Sequence, residues 1–248
     1  MTGVSVRAGH IRGSKRRYNA AASRWIEKDD LLSRTARVLR LRGVLTCLCL
    51  ASALAVPARA ETALDCFGEN KDLWVAGCTA LIDQRSLEPE QLSRAYAMRA
   101  LGFSLRGQYD RAITDYDAAI KIVPDFAVAL NNRAWAYFRS GRGLQGLTDV
   151  EKSLQLNPMS EHTWDTRAHI RQVMGDSTGA FADYERAVEL GGERMVKLYQ
   201  CGLAEQGLYK GPRDGVYTGD VKTALETCAK DRNCDPLPAD EHCRDATS

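Results

Sequence analysis

Between residues 93 and 192 the chain repeats itself at a fixed step of 34 residues, and a period of that length leaves few folds open. Ala100, Ala134 and Ala168 keep the step, and so do Gly107, Gly141 and Gly175. Ala112, Gly146 and Ala180 form a third series; Pro124 and Pro158 form a fourth, with Gly192 standing where a third proline would fall. Bulky residues keep time as well: Tyr96, Leu130 and Trp164 in one series, Tyr116, Val150 and Tyr184 in another. Small and large residues recurring together at this step predict stacked helix–turn–helix units, an all-α solenoid.

The residue types say how each unit closes. Ala100 and Ala112 are expected on facing helices, where a larger side chain would push the pair apart. Gly107 falls in the turn between them, a place where positive φ is cheap only for glycine. Tyr96, Phe103, Tyr116 and Ile120 follow three- and four-residue spacing and fill the core, and Pro124 stops the second helix. The second unit repeats this with Leu130, Tyr137, Leu154 and Pro158, and the third with Trp164, Ile170, Tyr184 and Val188. Arg171 replaces the aromatic residue of the earlier units, so the third is the least regular.

Period and anchors together resemble the tetratricopeptide repeat, with expected units at 93–126, 127–160 and 161–194. In that family ligands meet the concave side of each first helix. The resemblance therefore implies a partner-binding groove at Ala97, Leu101, Leu105, Asn131, Trp135, Phe138, Asp165, His169 and Gln172. Trp135 and Phe138 lie off the core series and are the better contacts. The lysine, arginine and asparagine set with which some members clamp a peptide carboxylate is absent, since Ala97, Leu101 and Asp165 are of the wrong types. Chaperone tails are therefore disfavoured as ligands.

Charge divides the chain. Residues 1–60 hold 12 Lys and Arg against 3 Asp and Glu, whereas the rest holds 22 against 29. The basic stretch ends at Arg34, Arg37, Arg40 and Arg42, an uncharged apolar run follows at 44–56, and Ala58 and Ala60 form a small-x-small site. This order predicts a secretory signal peptide cleaved after Ala60. The run is too short for a stable membrane anchor, which needs about 20 apolar residues. Thr46 and Leu48 precede Cys47 and Cys49, against a lipoprotein site. Residues 1–30 extend the basic region far upstream and are expected to be disordered; either translation starts nearer Val38 or the leader is long. The acidic remainder argues against nucleic acid, which rewards basic stripes.

Six cysteines remain beyond the leader: Cys66, Cys78, Cys201, Cys228, Cys234 and Cys243. An even number in an exported chain predicts disulfides. Sequence separation favours Cys66 with Cys78, Cys228 with Cys234 and Cys201 with Cys243; Cys201 with Cys228 is the competing pair.

Residues 61–92 read as a half-repeat that caps the first full unit, through Leu73, Trp74, Ala80 and Leu81. After the repeats come Val196, Tyr199, Gln200, Leu203, Gly207, Tyr209, Gly211, Asp214, Gly215, Tyr217, Ala224 and Leu225. This order resembles the small three-helix peptidoglycan-binding-like domain, here at 195–236, ahead of a loose tail at 237–248. The resemblance implies glycan contacts at Gln200, Tyr209, Asp214 and Tyr217.

No G-x-S-x-G elbow, phosphate-cradling glycine loop or H-E-x-x-H motif is present. His162 and His169, seven apart, share a helix face with Asp165, but groove-lining histidines are the expected reading and no metal or cofactor is implied. Asp115 and Asp117 are expected on an outer, solvated face. The expectation is a non-catalytic periplasmic scaffold that binds an unidentified protein or peptide in its groove and attaches to peptidoglycan through its C-terminal domain. The alternative is a plain adaptor whose C-terminal segment only caps the stack.

Overall fold

The computed structural model describes residues 58–237. The leader, Cys243 and the tail from residue 238 lie outside the described residues. The alanines of the expected cleavage site, Ala58 and Ala60, open the first helix. Every regular element described is helical: α1 (Ala58–Phe67), α2 (Trp74–Asp83), α3 (Pro89–Leu105), α4 (Tyr109–Ile122), α5 (Ala127–Arg139), a 3-10 turn (Gly143–Gly146), α6 (Leu147–Leu156), α7 (Glu161–Met174), α8 (Ser177–Glu205) and α9 (Gly219–Lys230). Consecutive helices pack as neighbours along the chain, so the elements form a solenoid of helix–turn–helix units.

Local chemistry sets the helix ends. Pro89 opens α3 where its missing N–H costs nothing. Ser160 caps α7, its hydroxyl accepting from the Thr163 amide. Gly107, Gly141 and Gly175 end the first helix of each unit with φ of 70°, 77° and 87°, which explains why that series admits nothing else. The alanine anchors Ala100, Ala112, Ala134, Ala168 and Ala180 are buried without remainder, as are Tyr116, Val150 and Tyr184.

The N-terminal part is a helix pair, α1 and α2, stapled by the Cys66–Cys78 disulfide. Trp74 is its buried centre, the indole N–H donating to the Gly68 carbonyl at 2.8 Å. Leu81, Met98 and Ala95 complete the cluster, so the cap covers the exposed face of α3.

Asp115, expected on a solvated face, is only 6% exposed. It accepts two hydrogen bonds from the Arg99 guanidinium, at 2.7 and 2.8 Å. The same fork joins Arg133 to Asp149 at 2.7 Å and Arg167 to Asp183 at 2.8 Å. All six residues keep the 34-residue step, so each unit is tied helix to helix by one bidentate pair. Asp117 does stand outside, and it links Arg133 of the second unit back to the first.

At Gly192 the backbone turns to φ 57° and ψ −145°, breaking α8 into two arms. The first arm completes the third unit. In the second, Gly202 falls 34 residues after Ala168, so the small-residue series continues past the expected boundary. This arm and α9 pack as a further helix pair with a long link between them. The C-terminal segment has no separate core: one buried cluster runs from Ala168 and Tyr184 through Tyr199 and Leu203 to Leu225 and Cys234. Nor does the chain loosen at residue 237, since Leu237 packs against that cluster and its amide donates to Asp235.

Cys228 pairs with Cys234, which rules out Cys201 with Cys228. Cys201 is disulfide-bonded as well, and its expected partner, Cys243, lies outside the described residues.

Candidate functional site

The first helices α3, α5 and α7 touch one another in succession, and their shared face is the floor on which the groove residues were expected. The floor changes character along its length. Leu105, at the last turn of α3, is 52% exposed, and Leu101 leans instead on the N-terminal cap cluster. Ala97 and Asn131 are buried. The Asn131 amide donates to Asn132, while its carbonyl oxygen meets no protein donor and lines a cavity of about 20 Å³ with Ser153, Asn157, Ser160 and Thr163. Trp135 and Phe138 are half-buried, with ring centroids 5.2 Å apart and Arg139 over the Trp135 ring.

His169 is the hub at the third unit. Trp135 meets it edge-on at 5.3 Å, Phe138 at 5.2 Å, and Tyr184 edge-on at 5.2 Å. The imidazole is buried, yet both nitrogens face oxygen: Nδ1 lies 2.8 Å from the Asp165 carbonyl, and Nε2 lies 3.1 Å from Asp235 Oδ1. A carbonyl and a carboxylate only accept, so the ring must donate twice and carries a positive charge. Burial opposes that charge, but the Asp165 and Asp235 carboxylates outweigh it and raise His169 to about 9. Burial raises the Asp165 carboxyl, with His169 and the Tyr199 hydroxyl pulling it back; that hydroxyl donates at 2.6 Å. His162 does not join this cluster and sits instead with Arg194 and Glu161. Among the described residues no group of three or more His, Cys, Asp or Glu is arranged to hold a metal ion.

Asp235 is what the sequence left unseen. It belongs to a strap, residues 231–237, that leaves α9 and crosses back over α7. The Gln172 side-chain amide points at the Cys228 carbonyl in the last turn of α9, 3.0 Å away, and at the strap's Asp231 and Cys234 carbonyls, 2.5 and 2.7 Å away, while its own oxygen accepts from Tyr184. On the far side Gly202 leaves room for the strap, since a Cβ there would lie 2.1 Å from the Pro236 carbonyl oxygen. The groove of the third unit is therefore filled by the protein itself. His169 and Gln172, expected to meet a partner, hold residues 231–237, and Asp165, expected beside them, accepts from Tyr199 and backs the His169 ring.

This geometry sets a pH window. Folding raises His169 above its ordinary 6.5, so its contribution is complete below that value and is lost as pH climbs through about 9. Asp235, which burial would raise, is held below the ordinary carboxylate value by His169, and its share is lost on acidification. The His169 ring should titrate by NMR with a midpoint near 9, and Asp235→Asn should lower it. A midpoint at or below 6.5 would contradict the doubly donating ring.

Of the residues expected to touch glycan, two are internal. Gln200 is fully buried: its amide donates to Asp214 and to the Val216 carbonyl, and its oxygen accepts from the Gly215 amide. Tyr209 is buried, with its hydroxyl on the Pro212 carbonyl. Neither can stack on a sugar. Asp214 is at the surface, and the Val216 amide and Gln200 hold its carboxyl low. Tyr217 leans on the core and donates to Glu185.

Residues 103–141 match the family model for the TPR repeat. The match spans α4 and α5 and their turns, the part of the chain where the repeat is most regular. Relatives include the heat-shock protein cognate (HSC) co-chaperone sgt12 of Aspergillus fumigatus, 33% identical over 98 residues, which is 40% of this chain and 29% of that protein. Hsp70-Hsp90 organizing protein 3 of Arabidopsis thaliana is 27% identical over 137 residues, 55% of this chain and 21% of that protein. The small glutamine-rich tetratricopeptide repeat-containing protein 2 of Mycosarcoma maydis is 36% identical over 88 residues, 36% of this chain and 25% of that protein. The chain thus spans less than a third of the length of these relatives. What they share with it is the repeat, which supports a protein–protein interaction scaffold.

Proposed function

We propose that this chain is an exported, non-catalytic scaffold that holds a protein segment on the floor formed by α3 and α5. The half-buried Trp135 and Phe138 carry the proposal: paired aromatic side chains with remaining exposure, on the face shared by the first helices, are the usual anchors of a protein interface. Export is supported by cysteine use, for every described cysteine is disulfide-bonded, as suits an oxidising compartment. Among the described residues no helix is long and apolar enough to cross a membrane.

Between the two roles expected of the C-terminal segment, capping is favoured over attachment to the cell wall. Its buried side chains close the third unit, and Gln200 and Tyr209 are committed to that closure. The names of the co-chaperone relatives do not transfer to the partner, because Ala97 and Leu101 offer no clamp for a terminal carboxylate.

A photo-crosslinking residue at Leu105 tests the groove, with Glu151, exposed on α6, as the control position. In living cells the expected result is a protein adduct from position 105 and none from 151. Trp135→Ala with Phe138→Ala should cut the adduct yield roughly tenfold or more. Equal adducts from both positions, or none from either, would remove the groove from the function.

A further inference from the structure

We propose that the third-unit face is itself a docking site for an internal aspartate–proline segment of a partner protein, held shut by residues 231–237 while the Cys228–Cys234 bond stays closed. The proposal rests on the scaffold reading above and names the chemistry of a second partner segment.

The strap displays what this face recognises. It forms neither helix nor strand, and α7 holds it by polar groups: the His169 ring on the Asp235 carboxylate, and the Gln172 amide on main-chain carbonyls. Residues 231–234 form a turn closed by the Cys234 amide on the Asp231 carbonyl, and a side-chain amide on such carbonyls beside a cation on one carboxylate can hold the same shape from another chain. Gly202 adds a slot that fits backbone and excludes a side chain. Arg139 brings a second positive charge toward Asp235. The Asp235 side chain remains 41% exposed, so water reaches the contact and a competing carboxylate can follow.

The disulfide explains why the strap wins. Cys228 and Cys234 both present carbonyls to Gln172, so the bond between them shapes the feature that Gln172 reads. The staple also pre-orders residues 228–234, so the strap meets Gln172 without the ordering cost that an open loop carries. A dithiol oxidoreductase acting in the export compartment would open it: two electrons and two protons pass to the bonded sulfurs, leaving two thiols, and the dithiol becomes a disulfide. Cys228 is fully buried and Cys234 keeps 7% exposure, so attack falls on Cys234 when the strap lifts.

The probe is a fluorescein-labelled peptide copying residues 231–240 with serine in place of Cys234, titrated by anisotropy onto the full chain. The oxidised protein should not bind it. The Cys228→Ser, Cys234→Ser chain should bind at least roughly a hundredfold more tightly, and His169→Ala in that background should abolish the gain. Equal binding by the oxidised chain overturns the latch. An opened chain with intact helix content that ignores the peptide overturns the site. Should the serine variant lose helix content by circular dichroism, the same titration on Asp235→Ala decides, since there the strap gives up its hold on His169 while both cysteines stay paired and the docking face keeps every residue. No binding by that variant also overturns the proposal. Crosslinking from Leu105 is independent of these results, so failure here leaves the scaffold reading standing.

Discussion

Truncation of Asp183 to alanine is expected to destabilise the fold by about 3 kcal/mol, a fall of roughly 10 °C in Tm for a chain of this size. Asp183 is the most committed of the ladder carboxylates. Its side chain is 3% exposed, it accepts from Arg167 twice at 2.8 Å, and it forms an ion pair with Arg171 at 2.9 Å. Removing it leaves two guanidinium groups facing an emptied site with no anion between them. The loss of the unpaired partners dominates, because the net worth of an intact buried pair against water is small. Asp117→Ala is the internal control: that carboxylate is 54% exposed and shares Arg133 with Asp149, so its removal should cost under about 1 kcal/mol. Urea unfolding of the two variants side by side reads the difference. Similar midpoints would mean that the ladder is an accompaniment to the packing and not a tie between helices.

The second large effect is expected at Gly146. A Cβ built there would lie 2.8 Å from the Ala134 Cα and 2.9 Å from its carbonyl oxygen. These are backbone atoms of the facing helix, with no flexible side chain to give way, so α5 and the start of α6 must separate. Gly146→Leu should cost about 3 kcal/mol, at the upper end of overpacking effects. Gly219→Ala is the contrasting case, since a Cβ there meets nothing within 4 Å and alanine suits the first turn of α9. It should leave stability unchanged or raise it slightly. A Gly146→Leu chain that melts with the parent would show that the small-residue series reflects tolerance and not contact.

Both sites were visible as periodicity before any coordinate. The series through Ala112, Gly146 and Ala180 calls for small residues at a helix crossing, and the distances at Gly146 show why. The ladder was equally present, because Arg99, Arg133 and Arg167 keep the step with Asp115, Asp149 and Asp183. In the sequence it is indistinguishable from a solvated face, as charged residues at regular helical spacing are until a partner helix is laid against them. The groove was harder. His169 and Gln172 stand at groove positions, but what faces them is Asp235 and its neighbours, 66 and 62 residues away in the pairs to Asp235 and Cys234. No local pattern marks a coil segment as the occupant of a distant helix face. The resemblance to a glycan-binding domain drew attention to Gln200 and Tyr209 for the same reason: glycines and a polar turn signal a compact loop, and they do not say whether its side chains point out or in.

By its sequence alone this chain determined its helices, their pairing and the closeness of each pair, because those follow from residue size and type repeated at one interval. Only the tertiary structure decided what the concave surface meets. Residues 231–237 carry no periodic signal, and their place on α7 depends on a disulfide, a buried cation and a missing side chain at Gly202 brought together from separate stretches of the chain.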